Sequence, residues 1–239
     1  MERNFMIING LMKTTLLDYP GHVAATVFLG GCNFRCPFCH NRDMVVDLQN
    51  TERIDEEEFF RFLSKRTGVL TGVCVTGGEP TLRPDLEDFL RRIKDLGFLV
   101  KLDTNGSHPS VIRRLNEEGL FDYVAMDIKS SLNHYSKCID VPAFEAGLIK
   151  ESVDYIKSSL KQYEFRTTVV RELHTAGDFE EIALLLKGAQ NYFLQYYRDS
   201  DNIICPNTFH CCSEEEMNRF AGICRPYMEQ VSVRGEMPD

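Results

Sequence analysis

The sequence predicts an α/β fold of parallel strands, in the form of an incomplete (β/α)6 barrel with an open side. Short apolar, β-branched runs alternate along the chain with amphipathic segments. Such alternation favours parallel strands joined by right-handed helical crossovers. Six runs are present, whereas a closed eight-unit barrel normally needs about 250 residues or more. Because the chain has 239 residues, we expect an open barrel or a strongly curved sheet.

Six segments have the composition of strands that are buried on both faces, because each is a continuous apolar run of suitable length. In parallel sheets of this class, functional residues lie beyond the carboxyl ends of the strands. The residues that follow each run are therefore candidates for a site. The runs are residues 23–29, 72–76, 98–104, 123–128, 164–170 and 192–196.

Helical segments fill the intervals between the runs. In residues 55–66 the apolar side chains gather on one side, behind an acidic first turn. Residues 84–96 begin with proline and are followed by Gly97, which are start and stop signals. Pro226 is expected to kink or end the last helix. The remaining predicted helices are residues 109–118, 143–160, 178–187 and 213–230.

The whole chain, residues 1–239, is predicted to form one domain, with a core over about residues 20–197 and a C-terminal extension over 198–239. The net charge of -9 argues against nucleic acid or an anionic membrane surface as the main partner. Residues 1–10 lack the basic region and apolar stretch of a signal peptide, and no apolar run approaches a bilayer span. We therefore expect a cytoplasmic protein.

The most informative motif is a cysteine triplet. Cys32, Cys36 and Cys39 follow the first predicted strand in a glycine-led loop with C-x3-C-x2-C spacing. In a reducing compartment, clustered cysteines indicate metal or redox chemistry, and three thiolates leave one iron of a four-iron cluster open. A zinc site with His40 as fourth ligand, or unliganded thiols, are the alternatives. His40 directly follows Cys39, which makes joint binding to one ion awkward.

The region around these cysteines resembles the activating enzymes of glycyl radical enzymes. It reads Asp18-Tyr19-Pro20-Gly21 and then, over residues 27–41, V-F-L-G-G-C-N-F-R-C-P-F-C-H-N. The cysteine spacing is the signature of the radical S-adenosylmethionine (SAM) superfamily. The chain is most similar to the activating proteins of anaerobic ribonucleoside-triphosphate reductase, with pyruvate formate-lyase activating enzyme as a near relative. The resemblance implies a 4Fe–4S cluster on the three cysteines and SAM beside it, with Phe38 and Asn41 among the cofactor-binding residues.

The end of the second predicted strand carries Gly77-Gly78-Glu79. Without the resemblance, this segment reads as an ordinary loop. It resembles the superfamily's GGE motif, which binds the amino group of SAM. The residue types suit that role, because glycines let the backbone pass close to a ligand and a carboxylate pairs with an ammonium.

The third and fourth predicted strands end in charged and polar residues. Asp103 and Thr104 end the third, and Asp127 and Lys129 end the fourth. Without the resemblance, they read as an Asn-Gly turn region and a solvated ion pair. The resemblance implies a monovalent cation near the SAM carboxylate, held by Asp103, Thr104 and Asp127. It also implies that Lys129 lies beside SAM and the incoming peptide.

Arg166 places a charge in the apolar fifth strand and therefore needs a partner. The sequence predicts pairing with Glu79 or Asp127, and the resemblance implies a contact with the SAM carboxylate. His174 is more often a satisfied loop histidine than a catalyst. Gln195, on the sixth strand, is a candidate adenine or ribose contact, with a packing role as the alternative.

Four cysteines lie in the C-terminal part of the chain. Their spacing, C-x5-C-C-x11-C, is poor for a second metal site, because adjacent cysteines rarely ligate one metal together. Plain thiols are therefore favoured over an auxiliary cluster or zinc ion. The four residues are Cys205, Cys211, Cys212 and Cys224.

The resemblance implies reductive cleavage of SAM to methionine and a 5′-deoxyadenosyl radical. That radical would take hydrogen from a glycine of a partner glycyl radical enzyme, of the anaerobic ribonucleotide reductase kind, with flavodoxin or ferredoxin as electron donor. One alternative is a radical SAM enzyme that acts on a small molecule or peptide. A non-catalytic iron–sulfur or zinc protein is the third interpretation, but it leaves the charged residues at the later strand ends unexplained.

Overall fold

A computed structural model describes residues 6–235 and confirms the predicted fold class. It is an α/β fold whose central sheet is mostly parallel and is not closed. Residues 1–5 and 236–239 lie outside the described residues. The two ends of the predicted domain therefore lie outside them, as does half of the segment, residues 1–10, that was tested for a signal peptide. Among the described residues, no helix is long and apolar enough to cross a membrane.

The chain divides into two compact units that alternate along the sequence. The prediction of a single domain over residues 1–239 stays a prediction. The first unit comprises Met1–Asn33, Asp43–Thr104 and Ser110–Val124, and the second comprises Phe34–Arg42, Asn105–Pro109 and Ala125–Asp239.

Four strands of the first unit are hydrogen-bonded side by side. The outermost of them runs antiparallel to its neighbour, and the others are parallel. Leu29 and Gly77 are partners at the carboxyl ends of two adjacent strands, which fixes the register there. The four are β2 (Gly10–Thr15), β3 (Ala24–Leu29), β5 (Gly72–Gly77) and β6 (Leu99–Thr104), in that order, while β1 (Ile7–Ile8) pairs with β4 (Ile54–Asp55).

The helices of the first unit bury one apolar face each. In the helix that begins at Glu56, the side chains of Phe59, Phe60 and Leu63 are buried, and Asp55 caps the first turn. This is the one-sided distribution that the sequence predicted over residues 55–66. The helices are α1 (Arg42–Val46), which begins at the last residue of a second-unit segment, α2 (Glu56–Ser64), α3 (Leu86–Asp95) and α4 (Pro109–Glu117).

The second unit also contains a row of strands, in the order β7 to β10. The pairs that join the last three are parallel. The first strand is shared, since Tyr123 and Val124 belong to the first unit. The strands are β7 (Tyr123–Asp127), β8 (Tyr163–Val169), β9 (Asn191–Tyr196) and β10 (Gln230–Arg234), and the helices are α5 (Tyr135–Cys138), α6 (Gly147–Ser159), α7 (Ala176–Leu185) and α8 (Glu214–Cys224).

All six predicted strands are present, with bounds within one residue of those expected. Pro226 ends the last helix as predicted, since α8 stops at Cys224 and a 3-10 turn follows. The prediction of helix over residues 225–230 was wrong, because Pro226 lacks the amide that would continue the ladder. Four strands were not predicted. They are β2 and β10, each of which forms one end of its row, and the short pair β1 and β4.

Candidate functional site

The cysteine loop begins where β3 ends and spans both units. Cys32 belongs to the first unit, and Cys36 and Cys39 belong to the second. All nine cysteines of the chain lie within the described residues, and none forms a disulfide. Three thiols on one loop, led by Gly31 at a φ of 96°, are a donor set suited to an iron–sulfur cluster. Within residues 6–235, however, no three His, Cys, Asp or Glu side chains are already grouped as metal ligands.

Within the first unit, the segment after β5 lies directly against the start of the cysteine loop. The Gly78 amide donates to Leu29 O (2.8 Å), and the Glu79 amide donates to Gly31 O (2.7 Å). A Cβ on Gly78 would lie 2.1 Å from Gly31 O, so a larger residue would force the two segments apart. Gly77 has a φ of 120°, which favours glycine. The two glycines therefore bring Glu79 close to the residue that precedes the first cysteine.

The Glu79 carboxylate is buried and fixed in place. Its Oε1 accepts hydrogen bonds from the Thr81 amide (3.0 Å), the Thr81 hydroxyl (2.5 Å) and the Thr104 hydroxyl (2.8 Å). Only 1% of Glu79 is exposed. A buried carboxylate needs hydrogen bonds or an opposite charge, and the two threonines supply hydrogen bonds here. Thr81 was not predicted as a site residue, although a side chain two positions after a buried glutamate is a natural donor to it.

In the second unit, Asp127 at the end of β7 joins two cations. Its Oδ1 lies 2.9 Å from Arg166 Nε, and its Oδ2 lies 2.9 Å from Lys129 Nζ. Burial disfavours the carboxylate, but the two cations outweigh it and hold the pKa of Asp127 well below its ordinary value. Asp127 is one of the two partners that the sequence predicted for Arg166. The side chains of Asp127, Lys129 and Arg166 remain 29%, 19% and 15% exposed.

The same lysine interacts electrostatically with two of the cysteines. Burial works against its ammonium, but Asp127, Cys36 and Cys39 outweigh it and raise the pKa of Lys129. Burial raises the pKa of Cys39, while Lys129 and the amide of Asn41 act in the opposite direction. An ammonium and a backbone amide thus both favour a thiolate at Cys39. Between the two cysteines, Phe38 is buried.

Three buried side chains hold the backbone of Lys129. Its amide donates to Tyr135 Oη (3.3 Å), and its carbonyl accepts from Cys138 Sγ (2.9 Å) and His174 Nε2 (2.8 Å). His174 Nδ1 accepts from the Val170 amide (3.0 Å), so the neutral ring is satisfied on both nitrogens. Burial lowers the pKa of His174 and raises the pKa of Cys138 to about 12. His174 is therefore the satisfied histidine that the sequence favoured, and Tyr135 and Cys138 were not predicted as supports of Lys129.

The C-terminal extension holds the second half of the cysteine loop. His40 Nε2 donates to Arg198 O (2.6 Å), and Asn202 Nδ2 donates to His40 O (3.2 Å). The Cys205 amide donates to Pro37 O (2.9 Å). The imidazole Nε2 of His40 is thus directed to a backbone carbonyl. This hydrogen bond does not decide on the zinc alternative, because a zinc-bound histidine commonly donates its other ring N–H to a carbonyl. The sequence did not assign the extension any role at this loop.

The remaining predicted residues occupy less distinctive positions. Gln195 is half-buried on β9, with Thr168 of β8 and Arg234 of β10 as its register partners. Burial raises the pKa values of Cys212 and Cys224 to about 12. The plain-thiol interpretation of the C-terminal cysteines stays a prediction.

Comparison with known proteins shows the family to which the chain belongs. The family model of the radical SAM superfamily matches residues 26–186. A Methanocaldococcus jannaschii protein named "putative glycyl-radical enzyme activating enzyme" is 31% identical over 239 residues, covering 95% of each chain. The pyruvate formate-lyase-activating enzyme of Clostridium pasteurianum is 30% identical over 143 residues, covering 55% of this chain and 56% of its own.

Two further matches are a relative with a different named activity and a solved structure with a similar fold. The 7-carboxy-7-deazaguanine synthase of Hyperthermus butylicus is 31% identical over 170 residues, covering 70% of this chain and 66% of its own. A solved domain of pyruvate-formate lyase-activating enzyme from Bacteroides vulgatus has a TM-score of 0.56 at 20% identity. The match covers 69% of this chain and 99% of that domain, and it shows the fold alone.

Proposed function

Because this chain belongs to the radical SAM superfamily, we propose that it cleaves SAM reductively and generates a glycyl radical on a partner enzyme. Membership in the superfamily implies a 4Fe–4S cluster and SAM. The observation that carries the proposal is the buried Glu79 carboxylate, which two hydrogen-bonded threonines fix next to the start of the cysteine loop. The carboxylate caps the 3-10 turn of residues Pro80–Leu82, and its negative charge also suits an ammonium-bearing ligand.

Cys32, Cys36 and Cys39 would hold the cluster. When bound, the cluster supplies the electron that splits SAM into methionine and a 5′-deoxyadenosyl radical. The Asn41 amide would donate to the Cys39 sulfur, and Lys129 would balance part of the negative charge of the thiolates.

Glu79 would bind the amino group of SAM, with Gly77 and Gly78 allowing the close approach of backbone and ligand. Arg166 would bind the carboxylate of SAM, because its guanidinium can form paired hydrogen bonds. Lys129 would lie beside SAM and the incoming peptide. Phe38, Asn41 and Gln195 would complete the cofactor site, Gln195 as a contact to the adenine or ribose.

The partner would be a glycyl radical enzyme of the anaerobic ribonucleotide reductase kind. Support for the activating role comes from a named relative that matches 95% of this chain at 31% identity, and from the pyruvate formate-lyase-activating enzyme. Flavodoxin or ferredoxin would donate the electron, and the enzyme would act in the cytoplasm under anaerobic conditions. The monovalent cation near Asp103, Thr104 and Asp127 remains a prediction from resemblance.

A second candidate is a radical SAM enzyme that acts on a small molecule. The observation that favours it is the similarity to 7-carboxy-7-deazaguanine synthase, which has the same 31% identity over 170 residues. The candidate shares the cysteines, Glu79 and SAM cleavage with the first proposal. It differs only in the final hydrogen donor.

Anaerobic reconstitution with iron and sulfide tests the proposal. With SAM and dithionite, the wild-type protein should release 5′-deoxyadenosine, and a Cys36→Ser variant treated in the same way should release none above background. Mixing the active protein with an anaerobic ribonucleotide reductase from the same organism should then give a glycyl radical doublet in the EPR spectrum. Release of 5′-deoxyadenosine without a glycyl radical would favour the small-molecule candidate. Absence of both products would overturn the proposal.

A further inference from the structure

Strand β6 carries a buried lysine that the proposed chemistry does not use. Lys101 lies between Val100 and Leu102, and only 1% of it is exposed. Lysine is almost never fully buried unless its charge is paired. Lys101 lies inside an apolar strand, two residues before the candidate site residue Asp103. Its burial therefore needs an explanation.

The ammonium of Lys101 is paired at its own strand end. Its Nζ forms an ion pair with Asp103, whose side chain is 13% exposed. It also lies 3.8 Å from Cys74 Sγ, on the register partner in β5, and 6.0 Å from the centre of the Tyr123 ring. A carboxylate, a thiol and an aromatic ring are all suitable neighbours for a cation. Lys101 and Asp103 thus form an ion pair at the end of the strand.

We propose that the Lys101 ammonium replaces the monovalent cation at Asp103, so that SAM binding by this protein does not depend on Na⁺ or K⁺. The inference rests on the proposed function, because it concerns the same SAM site. Resemblance to the activating enzymes implies a cation held by Asp103, Thr104 and Asp127. In this chain, the charge that would draw a cation to Asp103 is already balanced by a group that cannot diffuse away.

Each of the three implied cation ligands already has another partner. Asp103 pairs with Lys101, and the Thr104 hydroxyl donates to Glu79 at 2.8 Å. Asp127, in the second unit, is held by two cationic side chains. A carboxylate that is already neutralised attracts a second cation weakly, and the resident ammonium repels it. The three residues that the resemblance implies as cation ligands therefore suit Na⁺ or K⁺ poorly in this chain.

The decisive experiment needs only the wild-type protein. The affinity of the reconstituted protein for SAM is measured by calorimetry in Na⁺, K⁺ and tetramethylammonium chloride at equal ionic strength. We expect the three dissociation constants to agree within about twofold, because linkage between a cation and SAM would change them by about five- to 150-fold. A clear preference for Na⁺ or K⁺ would overturn the inference while leaving the proposed function intact. Failure to bind SAM in all three salts would overturn both.

Variants of Lys101 sharpen the result. Lys101→Met should create cation dependence, with SAM binding about tenfold tighter in Na⁺ or K⁺ than in tetramethylammonium. Lys101→Arg should behave like the wild type, and Lys150→Met removes a lysine from an exposed pair with Asp154 as a control. Should Lys101→Met unfold, the Lys101→Met, Asp103→Asn double variant removes both charges together, and a preference of this variant for Na⁺ or K⁺ in SAM binding would overturn the inference.

A second readout does not involve SAM cleavage. The linewidth of ²³Na in NMR should be unaffected by the wild-type apoprotein and should broaden with folded Lys101→Met. Broadening by the wild type that Lys101→Met does not increase would contradict the inference.

Discussion

Two strand ends in this molecule carry an aspartate and a lysine two residues apart, but in opposite order. On β6 the lysine precedes the aspartate, so Lys101 lies within the strand and its side chain is 2% exposed. After β7 the lysine follows the aspartate, so Lys129 lies in the loop and its side chain is 19% exposed. The lysine that precedes the strand end is thus buried, and we call Lys101 and Asp103 the sealed pair. The lysine that follows the strand end can be reached by a ligand, and we call Asp127 and Lys129 the open pair. We expect the sealed pair to contribute mainly to stability and local charge, and the open pair to ligand binding.

The largest effect is expected from breaking the sealed pair. Asp103→Asn leaves the Lys101 ammonium buried without a carboxylate, which should lower the free energy of unfolding by about 3–5 kcal/mol. Denaturant unfolding of the apoprotein measures this change. The control, Asp154→Asn, breaks an exposed pair with Lys150 and should cost no more than about 1 kcal/mol. Equal losses in the two variants would show that the Lys101 pair is not sealed.

Breaking the open pair should have a smaller effect on stability and a larger one on binding. Asp127→Asn removes the carboxylate from Lys129 and Arg166, but both cations can still reach water. We expect a loss of about 1–3 kcal/mol in the free energy of unfolding, together with weaker SAM binding in calorimetry. An Asp127→Asn protein that loses stability but binds SAM normally would contradict the comparison.

Glu79 is buried like Lys101 but is proposed to contact the ligand. It therefore tests whether a buried charge can contribute to ligand binding. Glu79→Gln keeps the shape and one acceptor for the two threonines while removing the charge. SAM affinity should fall by about tenfold to a hundredfold, the value of a charge-assisted hydrogen bond. Glu58→Gln, at an exposed position of α2, is the matched control and should bind SAM as the wild type does. An unchanged affinity in Glu79→Gln would remove the ammonium-binding role.

The smallest effect is expected from His174, which holds the backbone of Lys129 in the open pair. Burial lowers the pKa of His174, so the unfolded chain takes up a proton that the folded protein resists. Stability is therefore full above the unfolded pKa of about 6.5 and falls as the pH drops below it, by at most about 1.4 kcal/mol per pH unit.

His174→Gln tests this pH dependence, because the amide can still donate to the Lys129 carbonyl but does not titrate. Unfolding measured between pH 5 and 8 should show a flatter profile for His174→Gln than for the wild type. Parallel profiles for the wild type and His174→Gln would show that His174 is not the group responsible.

The sequence was sufficient for the features that depend on local pattern. The six strands that are buried on both faces have continuous apolar runs, and Pro226 ends its helix because a proline beyond the first turn breaks the hydrogen-bond ladder. The edge strands β2 and β10 were missed for the same reason, since a strand with one neighbour needs no such run. Strand β2 includes the exposed residues Met12 and Lys13.

The site was predictable only in part. Arg166 was identified because a charge in an apolar strand needs a partner, and the same reasoning applied to Lys101 would have identified it too. The support of Lys129 was not accessible to such reasoning. Its backbone is held by Tyr135, Cys138 and His174, whose approach depends on tertiary packing and not on any local pattern.

The central claim is that residues at the strand ends hold SAM against a cluster on the three cysteines. EPR of the reconstituted and reduced protein, recorded with and without SAM, tests it most directly. We predict that SAM changes the spectrum of the wild-type cluster, and that Glu79→Gln needs a higher SAM concentration for the same change. A reduced four-iron spectrum that saturating SAM leaves unaltered would contradict the account.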